Sequence, residues 1–183
     1  MLPHIRSFSD EGPMLGFLFR GLTAERPGGE PLFDALTRLA RQPHWYVEGS
    51  VPDTLDGRFA VLGTIAALVL VRLEREGDPG DRLSVAVTER FIHVMESEHR
   101  ELGLGDPTLG KTVRKLVAML ARKVELWRGA CGGERDWFET AAQSLYKDEA
   151  APDALRHCAD ALRRLNARIA AVEIAQLAEG KIE

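Results

Sequence analysis

A stretch of 13 residues without a charged side chain, from Phe59 to Val71, constrains the fold of this 183-residue chain most strongly. It is too short to cross a bilayer, which takes about 18 to 20 apolar residues. A helix formed by this stretch is apolar on nearly all sides, so other helices must surround it. We therefore predict a central core helix over about residues 54–76, ended by the segment from Gly77 to Gly80.

The rest of the chain also favours helices. The 24 Leu and 22 Ala outnumber the 12 Val, 6 Ile and 8 Thr, which prefer strands. We predict an all-α fold, a single domain of about six or seven helices over residues 31–183, after a mobile N-terminal segment of residues 1–30. Further helices are expected to begin near Pro31, Leu83, Pro107, Glu134 and Pro152. The last is predicted as one long C-terminal helix to Gly180, with a buried seam of Leu155, Cys158, Leu162, Leu165, Ile169 and Val172.

Charge and cysteine content exclude several classes of protein. The formal net charge of −4 argues against a protein that coats DNA or RNA, so no DNA partner is expected. Cys131 and Cys158 are too far apart for a C-x-x-C pair and are expected to be reduced. No secretory signal is recognisable near the start of the sequence, which indicates a cytoplasmic location. We expect no metal ion or cofactor.

The helix after Asp106 and Pro107 separates into two faces when its residues are placed at 100° intervals. Apolar side chains lie on one face, and the opposite face carries Lys111, Arg114, Lys115 and Arg122. This positive stripe has two interpretations. It is either an ordinary solvated face or a docking surface for an acidic partner, ribosomal RNA or anionic lipid.

The segment from Gly105 to Thr112 matches the phosphate-binding loop of P-loop enzymes, G-x-x-x-x-G-K-T. That loop follows a buried strand in nucleotide-binding enzymes, whereas the residues from His93 to Leu102 have the pattern of a charged helix. We favour a helix cap with basic residues in its first turn. A nucleotide-binding enzyme remains the alternative from a different functional class.

Two groups of side chains before the central helix have both a structural and a functional interpretation. Asp53 is predicted to be the N-cap, accepting a hydrogen bond from the amide of Asp56, with Arg58 forming an ion pair; the same three side chains are candidates for a binding surface. Trp45 and Tyr46 are either half-buried core residues or the lining of an apolar groove for a hydrophobic client helix.

The same ambiguity applies to two charged residues near the end of the fourth predicted helix. Arg100 and Glu101 precede the tight Gly103–Leu104–Gly105 turn. They are either structural residues at a helix end or part of a binding surface.

Three segments are similar to motifs of one known family. They are Ala40-Arg-Gln-Pro-His-Trp-Tyr46, then Pro52-Asp-Thr-Leu-Asp-Gly-Arg-Phe59, and finally Arg100-Glu-Leu-Gly-Leu-Gly-Asp106 followed by Gly110-Lys111. Over about residues 31–146 the chain resembles the ubiquinol–cytochrome c chaperone family, the assembly factors of the cytochrome bc1 complex. It departs from the family pattern at Ala60 and Ile65, where the family usually has Asp and His, which is typical of a divergent bacterial member.

The resemblance implies a helical, non-enzymatic chaperone for newly made cytochrome b or another bc1 subunit. It also implies contact with the ribosome or a small partner protein, and a peripheral position at the cytoplasmic face of the inner membrane. The candidate client- and partner-binding residues are Trp45, Tyr46, Asp53, Asp56, Arg58, Arg100, Glu101, Lys111, Arg114, Lys115 and Arg122. A plain helical scaffold is the third functional class that the sequence leaves open.

Overall fold

The computed structural model describes residues 29–101 and 109–182. These two ranges contain seven α-helices, one short 3-10 turn over Pro43–Trp45, and no strand. The helices are α1 (Glu30–Ala40), α2 (Leu55–Leu73), α3 (Asp78–Glu101), α4 (Leu109–Cys131), α5 (Trp137–Leu145), α6 (Pro152–Ala171) and α7 (Ile174–Ala178). The predicted all-α fold is confirmed. Gly29 and Glu30 already belong to the start of α1, and residues 1–28 lie outside the described part of the chain.

Helix α2 occupies the centre of the molecule, as its sequence predicts. It packs against α1, α3, α4, α5 and α6. Along its length Val61, Ile65, Leu68 and Val69 have no exposed surface. Burial of each such side chain contributes about 1.5 to 3 kcal/mol of hydrophobic free energy. The core around α2 therefore supplies much of what stabilises the fold.

Four predicted helix boundaries are wrong. Helix α2 ends at Leu73 rather than near Glu76, and the residues Asp78 to Gly80 begin α3 instead of only ending α2. Thr54, not Asp53, is the N-cap of α2, because the Thr54 side chain accepts a hydrogen bond from the amide of Gly57. Helix α3 begins at Asp78 rather than near Leu83, since Pro79 lies in its first turn, where a proline needs no amide hydrogen bond. Helix α5 begins at Trp137 rather than Glu134, with Asp136 as its N-cap.

The C-terminal helix is also shorter than predicted. Helix α6 ends at Ala171, and Val172 has an extended conformation that redirects the chain into the short α7. The change of direction packs α7 against α1 and α3, and Leu177 of α7 has no exposed surface. A continuous helix to Gly180 would not bring Leu177 to that position. Within α6 the predicted seam is buried from Cys158 to Ile169.

Candidate functional site

Most of the candidate residues fall on two surfaces. The first, here called the α2 start site, comprises Trp45, Tyr46, Asp53, Asp56 and Arg58, around the segment that leads into the central helix. The second, here called the basic face, comprises the α4 residues Lys111, Arg114, Lys115 and Arg122.

The segment that leads into α2 is held by a close backbone contact. The Thr54 hydroxyl accepts from the Gly57 amide at 3.2 Å and caps the helix. A Cβ atom at Gly57 would lie 1.9 Å from the carbonyl oxygen of Pro52 and 3.4 Å from the side chain of Val51. A non-glycine residue at position 57 would therefore push this segment away from the first turn. Three positions of the Pro52–Phe59 motif thus have a structural role.

Two ion pairs flank this turn. The Arg58 Nε donates to Asp53 Oδ1 at 2.6 Å, and the Lys147 ammonium donates to Asp56 Oδ2 at 2.5 Å. The hydrogen bond from Arg58 lowers the pKa of Asp53. All four side chains are more than half exposed, and such pairs contribute at most about 1 kcal/mol to stability. Their charges remain accessible to a binding partner.

A cleft of about 290 Å³ opens beside the same turn, between residues 50–60 and residues 145–151. Thr54 and Asp56 line one side, and Tyr146 and Lys147 line the other. The Tyr146 hydroxyl donates to the carbonyl oxygen of Gly49 at 2.5 Å and ties the two sides together. The cleft therefore combines apolar surface with charges of both signs, from Asp56 and Lys147.

Trp45 and Tyr46 connect α1 to the α2 start site. The Trp45 Nε1 donates to the carbonyl oxygen of Leu39 at 2.8 Å, and the Tyr46 hydroxyl donates to that of Ala40 at 2.7 Å. These bonds satisfy two carbonyls at the C-terminus of α1. Trp45 is only 2% exposed, whereas Tyr46 is half-buried. Burial raises the pKa of Tyr46, while the positive charge of Arg58 acts in the opposite direction.

The basic face is solvent-exposed along α4. Lys111, Arg114, Lys115 and Arg122 are all exposed, and none of them forms an ion pair with another residue of the described ranges. A second basic helix, α6, carries Arg156, Arg163, Arg164 and Arg168 on its exposed side. Sequence reasoning missed this second surface because it examined α6 only for its buried seam.

The other two cations of α4 are not available for docking. Arg128 donates to both carboxylate oxygens of Glu74, at 3.0 and 2.6 Å, and also to Glu125. Lys123 is 8% exposed and lies in the core. Of the six Lys and Arg residues of α4, only four therefore form the basic face.

Lys123 is the centre of a buried polar network that sequence reasoning missed. Its ammonium donates to Thr64 Oγ1 at 3.3 Å, to Ser144 Oγ at 3.1 Å and to the carbonyl oxygen of Ser144. Trp127 Nε1 donates to the same Ser144 hydroxyl at 3.0 Å. Burial lowers the pKa of Lys123 to about 8. The sequence contains a signal for the burial of Lys123. With Lys111 at 0° on the helical wheel, Lys123 projects at about 120°, next to the apolar face of the helix.

Some candidate residues lie outside the described part of the chain. The side chains of Arg100 and Glu101 are among them, as are residues 102–108, which hold the first part of the P-loop match. The helix α3 leads into this segment, where a P-loop enzyme has a buried strand. Gly110 and Lys111 belong to the first turn of α4.

The described residues contain no group of three or more His, Cys, Asp and Glu side chains arranged to hold a metal ion. Within those same residues, none of the helices has the length and apolar character that crossing a membrane requires.

Comparisons with known proteins agree with the sequence motifs. The model of the family described as "Ubiquinol-cytochrome C chaperone" matches residues 48–183. Among solved structures, the chain is similar to the crystal structure of the Cbp3 homolog from Brucella abortus, with a TM-score of 0.73 and 24% sequence identity. That similarity covers 84% of this chain and 86% of the other. No curated protein matches the chain.

Proposed function

The chain belongs to the ubiquinol-cytochrome c chaperone family, and from this membership we propose that it assists the assembly of the cytochrome bc1 complex without catalytic turnover. The observation that carries the proposal is the family match, which extends over more than half of the chain and includes α4 and, of the α2 start site, Asp53, Asp56 and Arg58. In this proposal the client is newly made cytochrome b or another subunit of the complex.

We assign client contact to the α2 start site. Its ion pairs leave Asp53, Asp56 and Arg58 accessible, and the neighbouring cleft of about 290 Å³ offers apolar surface between them. A membrane-protein segment that has left the ribosome presents apolar side chains flanked by charged or polar ones. A cleft with both kinds of surface suits such a segment, because it covers the apolar groups and pairs the charged ones.

We assign docking on the machinery of synthesis to the basic face. Four exposed cations on one side of one helix produce a local positive field on a protein whose net charge is −4. Ribosomal RNA and the anionic headgroups of the inner membrane are the negative surfaces near which a membrane protein is made. A peripheral position at the cytoplasmic face of that membrane follows from either contact.

The assembly role is tested by deleting the gene and measuring assembled bc1 complex by native electrophoresis and haem spectroscopy. We expect loss of most of the assembled complex and recovery when the wild-type gene is restored. A deletion strain with normal levels of assembled complex would refute the assembly role. It would leave the chain as a helical scaffold with another client.

Reversing the charge of the basic face should weaken docking without unfolding the protein. We expect the triple variant Lys111→Glu, Arg114→Glu and Lys115→Glu to bind ribosomes or anionic vesicles at least about tenfold more weakly at low salt. Its stability should stay within about 0.5 kcal/mol of wild type, because all three side chains are exposed. Co-sedimentation with ribosomes and flotation with vesicles measure the two partners separately.

The matched control reverses three other exposed cations, Arg38, Arg75 and Arg82, which lie on or next to α1, α2 and α3. This variant has the same net charge as the first but an intact basic face. Equal loss of docking in both variants would mean that only the net charge matters. The basic face would then have no specific role.

A further inference from the structure

A second cleft, of about 430 Å³, lies between the C-terminal end of α1, the 3-10 turn and helix α6. Its apolar lining includes Leu39, Trp45, Ala161 and Leu165, and the side chains of Arg164 and Arg168 complete one wall. Trp45 and Leu165 are each 2% exposed and belong to the hydrophobic core, so they form the floor. This surface is called the α6 cleft below.

Two arginines, Arg164 and Arg168, carry the positive charge at the α6 cleft. Arg164 and Arg168 are exposed and one helical turn apart, and neither takes part in any ion pair among the residues that the structure describes. Like charges at this spacing repel each other and destabilise a helix by a few tenths of a kcal/mol. A ligand with negative charge would remove that repulsion.

The remaining polar groups at the rim are hydrogen-bonded to each other. His44 Nδ1 lies 3.0 Å from His157 Nε2, and His44 Nε2 lies 3.1 Å from the side-chain oxygen of Gln42. Burial lowers the pKa of His44, as does the charge of His157, while the charge of Glu48 raises this pKa and that of Arg164 lowers it. The rim therefore adds hydrogen-bonding groups next to the two guanidinium groups.

We propose that the α6 cleft binds an acidic peptide segment of a partner protein, with carboxylates on Arg164 and Arg168 and an apolar side chain against Trp45 and Leu165. Guanidinium groups bind carboxylates through paired, charge-assisted hydrogen bonds. The cleft volume is that of a small-ligand site and accommodates an anchoring side chain with its neighbours.

The shape of the site favours a peptide over a lipid surface. The apolar floor lies below the rim that carries the arginines, because Trp45 and Leu165 are nearly buried whereas Arg164 and Arg168 are exposed. A broad bilayer surface would contact only the rim. An extended chain can place a side chain in the cleft and its carboxylates on the rim at once.

This inference deepens the proposed function and rests on it, because the proposed function supplies the partner protein. The residues of the α6 cleft lie outside the basic face. It is tested with the purified full chain, so its failure differs from failure of bc1 assembly in cells. The probe is a fluorescein-labelled, end-blocked octapeptide of sequence SLEFELSG, and its control is the uncharged SLQFQLSG. We expect fluorescence anisotropy to give at least about tenfold tighter binding of the acidic peptide, decreasing with added salt.

Charge-swap variants show whether the contact is direct. Arg164→Glu and Arg168→Glu should each weaken binding of SLEFELSG roughly tenfold and should favour the basic peptide SLKFKLSG instead. The matched control is Arg156→Glu, which reverses an exposed arginine of the same helix that does not line the cleft. It should leave both affinities within about twofold of wild type.

Three outcomes would overturn the proposal. One is equal binding of the acidic and uncharged peptides. Another is equal loss of affinity in the Arg156→Glu and Arg164→Glu variants. The third is binding of vesicles containing phosphatidylglycerol that depends on Arg164 and Arg168 while SLEFELSG does not bind, which would make the site a membrane contact.

Discussion

Between pH 8 and pH 10.5 the wild-type chain is expected to gain about 3 kcal/mol of unfolding free energy relative to a Lys123→Met variant. Burial lowers the pKa of Lys123 from 10.5 in the unfolded chain to about 8 in the fold. In this window the unfolded chain binds more protons than the folded chain, so the unfolding free energy rises with pH. The stability gained at high pH is lost again as the pH falls through 8. Urea unfolding of both proteins at several pH values measures the difference.

The comparison with a variant is necessary because other groups titrate in the same range. Burial raises the pKa of Cys131, Cys158 and Tyr46, which makes stability fall with pH, but these groups are present in both proteins. Lys115→Met replaces an exposed lysine of the same helix and should follow the wild type throughout. If the unfolding free energies of wild type and Lys123→Met differ by a constant amount from pH 8 to 10.5, burial does not lower the pKa of Lys123.

Substituting Gly57 by alanine is expected to destabilise the protein by about 3 kcal/mol. The new Cβ would lie 1.9 Å from the carbonyl oxygen of Pro52. The backbone at Pro52 and the backbone at residue 57 cannot rotate away as a flexible side chain can. The segment with Pro52 must therefore move and disturb Val51, which is 1% exposed. In a chain of this size the loss corresponds to a melting temperature roughly 6 to 12 °C lower, measurable by circular dichroism.

Gly77→Ala is the matched control for Gly57→Ala. Gly77 has a φ of 60°, which is unfavourable for alanine, but no atom lies within 4 Å of the added Cβ. Its cost should be about 1 kcal/mol, from backbone strain alone. If Gly57→Ala costs no more than Gly77→Ala, the close contact at Pro52 is not what holds the α2 start site together.

The hydrophobic pattern predicted the helices better than it predicted their ends. Helix α2 was recognisable because its apolar residues occupy all sides, and α4 because they occupy one. The predicted N-cap of α2 was wrong by one residue. Asp53, Thr54 and Asp56 all have side chains that suit a cap, and only the packing of Pro52 on Gly57 selects Thr54. The break after Ala171 was missed because the contacts that require it, those of α7 with α1 and α3, join segments distant in sequence.

The candidate surfaces were predictable to different degrees. The basic face follows from spacing along one helix, so its four exposed cations could be identified from the sequence. The α6 cleft joins the 3-10 turn at Pro43–Trp45 to Arg164 and Arg168, more than a hundred residues later. No local pattern links such positions, because only the packing of α6 brings them together.

The sequence by itself determined that this chain folds into helices around one apolar helix, and its motifs identified the chaperone family. These properties depend on local spacing, which every helix carries in its own residues. Tertiary structure decided how deeply Lys123 is buried and which groups bind its ammonium, although Lys115 on the same helix is exposed. Burial depends on the neighbouring helices, and the side chains of Thr64 and Ser144 that surround Lys123 come from two of them.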